Sequence, residues 1–321
     1  MALRLALWAG VVTAALVAPG LGLADKRIAL TFDDAPRADG QVFTGAERAG
    51  ALLEALASVD SGPVAFFVTT QGIATEADGA ARIARYAAAG HLIANHTHSH
   101  RWAHRTPIDD YLADIDRAHE ALREVDNYRP WFRFPFLDEG RDAARIEALA
   151  KGLAARGLAN GYVTVDNYDW YLDQALQNAL ADGRTVDYEA LGKLYVRMLS
   201  YAAEFYDSLA VQMLGESPVH VLLLHENDLA ALYVDDLVVA LRRSGWTIVS
   251  PDLAYADPLP APRTRFTSQG RVFGLAADAG RARNTMWTWA IDEQMLDLML
   301  ARSKAFGAAD KTPQDTDAGA R

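Results

Sequence analysis

Ionisable side chains gather in a few short segments of the sequence, and their types are those used in metal binding and acid–base catalysis. Asp33 and Asp34 stand side by side, His96 and His100 lie four residues apart in the segment HTHSH, and His225 ends the apolar run VHVLLLH. Two histidines at this spacing face the same way if the segment turns helically. An aspartate from a neighbouring strand would then complete a His–His–Asp set. Three protein ligands with one position left for water are typical of a catalytic metal site.

The complete absence of cysteine narrows the chemistry further. It excludes disulfides, thiolate metal sites and cysteine nucleophiles, so any metal must be bound by histidine, aspartate or glutamate. Oxygen and nitrogen ligands suit Zn²⁺, and equally Co²⁺ or another divalent ion.

Each of these segments is also compatible with a simpler structural role. The HTHSH segment alone fits a histidine cluster on the surface equally well, and an Asp-Asp pair alone is more often a solvated turn. Here the pair ends an apolar run that begins at Ile28, which argues against a turn. Because neighbouring side chains of an extended segment point in different directions, Asp33 and Asp34 can have different roles. We expect His98 to be exposed or to support the ligands rather than to bind the metal.

The elements that must position these residues are strands alternating with helices. This alternation predicts a parallel sheet, open or closed into a barrel. The strand segments are 26–32, 63–69, 91–95, 131–134, 161–166, 219–225 and 246–249. The main helical segments between them are 46–58, 79–89, one that opens at Thr106-Pro107, 142–156 and 230–243. Ionisable residues follow five of the seven strands, and the carboxyl ends of parallel strands share the face that carries active sites.

The first residues have the pattern of an export signal. Arg4 is followed by an apolar run from Leu5 to Val17, and small residues up to Ala24 fit a cleavage site. We therefore predict a signal peptide over 1–24 and a mature protein in the periplasm or outside the cell, without an integral membrane domain. An uncleaved single-pass anchor is the alternative.

The remaining chain is predicted to form one catalytic domain over 25–257 with additions. Residues 171–218 exceed what one crossover needs, which indicates an inserted helical pair. Residues 258–303 are predicted to be a proline-rich linker and a helix over 285–303 that packs back on the domain, and 304–321 to be disordered. The chain of 321 residues is 51% hydrophobic, as globular proteins are. Its net charge of −11 argues against nucleic acid as a partner.

Taken in order, the segments TFDD, HTHSH, RFPF, DNYDW and LLLH resemble the polysaccharide deacetylase family, also called the NodB-homology or carbohydrate esterase family 4 domain. The resemblance covers about residues 26–252. It implies a distorted (β/α)7 barrel, here with a helical insertion and a C-terminal helical extension. It also implies hydrolysis of acetyl groups, most simply N-acetyl, on a glycan such as peptidoglycan or chitooligosaccharide, with the help of a divalent metal that is often zinc.

The resemblance also implies roles for single residues. Asp33 is the general base that deprotonates the water attacking the acetyl carbonyl, and Asp34, His96 and His100 bind the metal. His225 is the general acid.

Supporting roles follow from the same resemblance. Arg133 would orient the base, and Asp166 would hold His225 and raise its pKa. A backbone N–H near Phe136 would stabilise the oxyanion, and Trp170 and Leu223 would line the acetyl pocket, although Trp170 is equally compatible with ordinary core.

Two positions depart from the family pattern. Ala35 stands where glycine is usual, and Arg101 stands where proline commonly follows the second metal histidine. Two other functions stay open on the sequence. One is hydrolysis of another C–N bond, in an amide, imide or formamide, and the other is a non-catalytic carbohydrate-binding barrel.

Overall fold

The computed structural model of the protein describes residues 25–309. The predicted signal peptide over 1–24 lies outside the described residues, as do residues 310–321 of the predicted tail. Within the described range, no helix is both long and apolar enough to cross a membrane.

The described residues form nine strands and eleven helices, numbered here in chain order. The strands are β1 (Lys26–Ala35), β2 (Ala65–Val68), β3 (Leu92–Asn95), β4 (Tyr128–Phe132), β5 (Ala159–Asn160), β6 (Arg184–Val186), β7 (Val219–His225), β8 (Trp246–Ile248) and β9 (Phe306–Ala309). The helices are α1 (Gly45–Ser58), α2 (Thr70–Thr75), α3 (Gly79–Ala88), α4 (Ile108–Leu122), α5 (Ala143–Ala155), α6 (Asp169–Ala181), α7 (Tyr188–Leu214), α8 (Asp228–Arg243), α9 (Pro251–Ala256), α10 (Arg271–Asp278) and α11 (Glu293–Ser303).

Strand β1 is the centre of a parallel sheet whose order is β5-β4-β3-β2-β1-β7. Strand β8 pairs with the first residues of β1, and β2 pairs with its last residues. The sheet curls until Val165, in the segment that follows β5, bridges to Leu222 of β7. The predicted distorted (β/α) barrel is therefore confirmed, with helices packed around a curled sheet.

The central strands are buried on both faces, as expected for parallel strands that helices cover. All four residues of β2 are buried, and the ring of Phe66 stacks on those of Phe32 and Tyr86. The register of β1 against β7 runs without interruption to the pair Asp33 and His225. This register brings the ionisable residues that end the two strands to the same edge of the sheet.

The insertion predicted over 171–218 corresponds to α6, which already begins at Asp169, and α7, joined by the short strand β6. The C-terminal extension differs from the prediction. Instead of one helix over 285–303, α10 comes first, two short 3₁₀ turns follow, and α11 begins only at Glu293. The break has a local cause, since the side chain of Asp292 accepts the backbone N–H of Met295 and caps α11.

The prediction of a disordered tail over 304–321 is wrong for its first part. Strand β9 pairs antiparallel with β6 of the insertion. The guanidinium of Arg184 lies 5.4 Å from the ring of Phe306, and Asp187 donates its backbone N–H to the carbonyl of Ala305 at 2.8 Å. These contacts stabilise residues 305–309, although the segment contains few large apolar side chains.

Candidate active site

Asp34, His96 and His100 lie together at the carboxyl end of the sheet. Their potential ligand atoms are all within 4.8 Å of one another. Asp34 Oδ1 is 3.1 Å from His100 Nε2 and 3.5 Å from His96 Nε2. The structure thus brings together the three residues that the sequence predicted as metal ligands.

The histidines converge through a tight turn, not through the helical turn expected from their spacing. Thr97 and His100 have positive φ angles of 69° and 52°. The side chain of Asn95 accepts the N–H of Thr97 at 2.8 Å, and the hydroxyl of Thr97 accepts the N–H of His100 at 2.9 Å. His98 turns away from the other two histidines, and its Nδ1 lies 2.9 Å from the hydroxyl of Thr70.

Only Asp34 of the Asp-Asp pair has a positive φ angle. Asp34 has a φ of 68°, whereas Ala35 continues β1 and pairs with Val68. Glycine is therefore not required at position 35, which accounts for the departure from the family pattern. Because of the turn at Asp34, its carboxylate lies 3.1 Å from His100 Nε2, whereas Oδ1 of Asp33 is bound by Arg133.

The ring of His96 is oriented by the backbone at the exit of β4. Its Nδ1 donates to the carbonyl of Arg133 at 2.8 Å, so Nε2 faces Asp34 with its lone pair free. Burial lowers the pKa of His96 to about 4, and the imidazole is therefore neutral near pH 7. A neutral imidazole is the form that binds a metal.

The donor set fits a divalent cation. Asp34 Oδ1 is buried and has no hydrogen-bond partner within residues 25–309, although two imidazole nitrogens face it. Burial would raise the pKa of Asp34, but the facing His100, together with His225 and His96, lowers it well below its usual range. An ionised carboxylate that faces two imidazole nitrogens is a ligand set that suits a divalent cation.

Asp33 is held by a buried arginine, as predicted. Arg133 Nη1 donates to Asp33 Oδ1 at 2.8 Å. The guanidinium lies 4.0 Å from the ring of Phe67, and its Nη2 contacts the hydroxyls of Tyr255 at 3.1 Å and Thr31 at 3.3 Å. Tyr255 was not predicted, since it lies in α9, 122 residues further along the chain than Arg133.

His225 is supported by Asp169, and the prediction of Asp166 is wrong. Asp169 Oδ1 lies 2.6 Å from His225 Nδ1. Burial would lower the pKa of His225, but the charge and hydrogen bond of Asp169, with a further contribution from Asp34 and Asp33, raise it to about 9. The imidazole is therefore protonated at neutral pH.

Asn167 explains why Asp169, and not Asp166, contacts His225. Asn167 donates through Nδ2 to the carbonyl of Leu223 at 2.6 Å, and its Oδ1 accepts the N–H of Asp169 at 2.9 Å. These bonds place the first residue of α6 against β7. Asp166 is buried, and desolvation raises its pKa well above the usual range.

The predicted pocket residues differ in their placement. Leu223 lies on the same face of β7 as His225 and is buried in a cluster that includes Val163. Phe136 has a φ of 58°, and its ring lies 4.5 Å from that of His100.

Trp170 is 38% exposed, and its described aromatic contacts are with Tyr168 and Tyr171. The alternative that Trp170 is ordinary core is therefore wrong, and its place in an acetyl pocket stays a prediction. Sequence reasoning also missed Trp102, which stacks on the ring of Phe136 at 3.8 Å.

Comparisons with known proteins find a family model that matches part of the chain and solved structures with a similar fold. Residues 22–154 match the family model described as "Polysaccharide deacetylase". No curated protein matches the chain.

Three solved structures share the fold at low sequence identity. A polysaccharide deacetylase from Bacillus cereus is 18% identical, over 73% of this chain and 95% of that one, with a TM-score of 0.52. The catalytic domain of a peptidoglycan N-acetylglucosamine deacetylase from Eubacterium rectale ATCC 33656 is 21% identical, over 78% and 99%, with a TM-score of 0.50. A chitin deacetylase from the fungal pathogen Colletotrichum lindemuthianum is 19% identical, over 77% and 94%, with a TM-score of 0.50. The matched segment carries TFDD, HTHSH and RFPF, three of the five segments by which the chain resembles the polysaccharide deacetylase family.

Proposed function

We propose that the protein is a metal-dependent deacetylase that removes N-acetyl groups from a glycan of the cell envelope or the extracellular space, such as peptidoglycan or chitooligosaccharide. The observation that carries the proposal is the arrangement around Asp34. Two histidines face this carboxylate, and a carboxylate bound to Arg133 and an imidazole bound to Asp169 lie beside it.

The metal would be held by Asp34, His96 and His100, most simply as Zn²⁺, although Co²⁺ or another divalent ion suits the same ligands. When bound, such an ion supplies Lewis-acid polarisation of the acetyl carbonyl and acidifies a water in its open position.

Asp33 would accept the proton of the attacking water. Arg133 occupies its Oδ1, while Oδ2 faces the metal ligands and lies 3.7 Å from His96 Nε2. The free oxygen is therefore on the side where the water must be. General-base catalysis by a positioned carboxylate contributes about 10²–10⁴-fold in rate.

His225 would donate the proton that the leaving amine requires, because an amine is too basic to depart as an anion. Its Nδ1 is occupied by Asp169, which leaves Nε2 for the substrate. Leu223, which shares the face of His225, would contact the acetyl methyl group, with Phe136 on the side of His100.

The export pattern over residues 1–24 supports a location in the periplasm or outside the cell, where acetylated glycans are found. This location favours a glycan over a cytosolic amide as the substrate.

The function is tested by acetate release from acetylated chitooligosaccharides, peptidoglycan and acetylated xylan. The enzyme is first treated with a chelator and then supplied with Zn²⁺ or Co²⁺, and products are scored by mass spectrometry. We expect deacetylation that depends on added metal and is lost in Asp33→Asn. Hydrolysis of formamides or imides without acetate release from any glycan would favour the alternative enzyme, and no hydrolysis at all would favour a binding protein.

A further inference from the structure

Asp34 lies at a break in the strand pairing, and its backbone conformation needs support. A φ of 68° is costly for a residue with a Cβ and persists only where the surrounding structure holds it. The ladder between β1 and β2 shifts its register between Phe32 and Ala35. The ladder between β1 and β7 ends at Asp33. Strand pairing therefore does not fix the backbone of Asp34 itself.

Glu226, which directly follows His225, bonds to the chain on both sides of Asp34. Its backbone N–H donates to the carbonyl of Asp33 at 3.0 Å. Its Oε2 accepts the backbone N–H of Arg37 at 2.6 Å, three residues after Asp34. One residue thus fixes the start of the turn with its main chain and the segment after the turn with its side chain.

The side chain of Glu226 is buried and is itself held in place. Its Oε1 accepts the hydroxyl of Tyr86 at 2.7 Å, and the ring of Tyr86 stacks on that of Phe66 in β2. Arg82 is buried as well and lies 3.8 Å from the same oxygen. Its Nη1 donates to the carbonyl of Arg37 at 2.6 Å. The N–H and the carbonyl of Arg37 are therefore both bonded to buried charged side chains.

Ordinary stabilisation does not account for this arrangement. Burying two ions removes their hydration, and the cost often exceeds the gain from their attraction, so a buried ion pair is weak evidence for a role in stability. Glu226 and Arg82 instead share one specific effect, which is to fix the peptide groups of Arg37. That residue belongs to the segment between Asp34 and α1, so fixing it limits how the turn at Asp34 can relax.

We propose that Glu226 is a positioning residue for the metal site, which holds Asp34 in its turn before a metal binds. In this turn the carboxylate of Asp34 already lies 3.1 Å from His100 Nε2 and 3.5 Å from His96 Nε2. The inference rests on the proposed function, because it takes these three residues as the metal ligands. It follows that part of the metal affinity depends on the reach of the Glu226 side chain rather than on its charge.

The test compares the wild type with Glu226→Asp, Glu226→Gln and a control, Asp207→Asn. Glu226→Asp keeps the charge beside Arg82 but shortens the side chain by one methylene. Glu226→Gln keeps the length and an oxygen for the N–H of Arg37. The control changes another buried carboxylate, which lies 3.3 Å from His220 Nε2 at the amino end of β7, the opposite end of that strand from the site.

Binding of Zn²⁺ or Co²⁺ alone is measured by calorimetry on chelator-treated protein, so that it does not depend on turnover. We expect Kd to rise about tenfold in Glu226→Asp, because residues that orient metal ligands contribute to affinity on this scale. Glu226→Gln should restore most of the affinity, and Asp207→Asn should match the wild type.

A loss of affinity in Glu226→Gln with native affinity in Glu226→Asp would assign the effect to charge and overturn the inference. Unchanged or equally reduced affinity in these two variants, or an equal loss in the control, would overturn it as well. Each of these results leaves the proposed function standing if the wild type releases acetate from a glycan. Conversely, the expected metal affinities without acetate release support the positioning role and refute the deacetylase, and a wild type that binds no metal overturns both.

Discussion

Asp169 contacts His225 through both carboxylate oxygens. Oδ1 lies 2.6 Å from the ring Nδ1, and Oδ2 accepts the backbone N–H of His225 at 2.9 Å. The carboxylate therefore sets both the orientation of the imidazole and its protonation state, which are the two properties that a proton donor requires.

The pH dependence of the reaction should follow from this contact. A proton donor works below its pKa and is lost as the pH rises through it. The pKa of His225 is raised to about 9, so kcat should persist through neutral pH and fall above about pH 9. In Asp169→Asn the alkaline limb of the pH–rate profile should move down, towards the ordinary histidine value of about 6.5.

Asp166→Asn is the matched control for this experiment. Asp166 is buried and its Oδ2 has no hydrogen-bond partner among residues 25–309, so the amide leaves the bond between Asp169 and His225 in place. Its alkaline limb should coincide with that of the wild type. An equal displacement of the limb in both variants would contradict the role assigned to Asp169.

The assignment of Asp33 as base predicts a loss of rate without a loss of metal. Asp33→Asn keeps an oxygen for the hydrogen bond from Arg133 but removes the basic group. We expect kcat to fall by about 10²–10⁴-fold while the metal content, measured by elemental analysis, stays at the wild-type level. A variant that turns over at a near-native rate would refute this assignment.

The ligand assignment predicts a loss of metal in His100→Ala. Its Nε2 lies 3.1 Å from Asp34 Oδ1, whereas the nearby His98 contacts Thr70 instead. Metal retained after dialysis should fall in His100→Ala and remain unchanged in His98→Ala. Equal metal content in the two variants would overturn the ligand set.

The pairing of β6 with β9 predicts a contribution of the C-terminal strand to stability. Phe306 is half-buried beneath Arg184. Phe306→Ala should lower the free energy of unfolding by about 1–2 kcal/mol, measured by urea denaturation. Leu298→Ala, which shortens a side chain that is 56% exposed, should change it little. Equal stability of both variants would show that the strand contributes nothing.

The sequence predicted the parts of the site that lie on or directly after long apolar strands. Strand β7 was predicted with its observed bounds, since a short continuous apolar run between polar segments is typical of a buried parallel strand. That an aspartate of the pair would meet the two histidines followed from the same logic, because the carboxyl ends of parallel strands share an edge, whereas the choice of Asp34 came from the family resemblance.

The parts that could not be predicted depend on hydrogen bonds between distant residues or on single caps. The choice of Asp169 over Asp166 is made by Asn167, which bonds to Leu223 of another strand. The turn that joins His96 to His100 has positive φ angles that no periodicity indicates. Similarly, one cap at Asp292 divides the predicted C-terminal helix.

The ladder between β6 and β9 also has a consequence for the order of folding. Its two strands are separated in the chain by β7 and β8, which belong to the barrel. A contact between segments so distant cannot form until ribosomal synthesis has delivered the last of them. The barrel can therefore be complete while β6, between α6 and α7, still lacks its partner strand. A chain released before β9 is made would contain all the residues of the candidate site but not the strand pair next to α6 and α7.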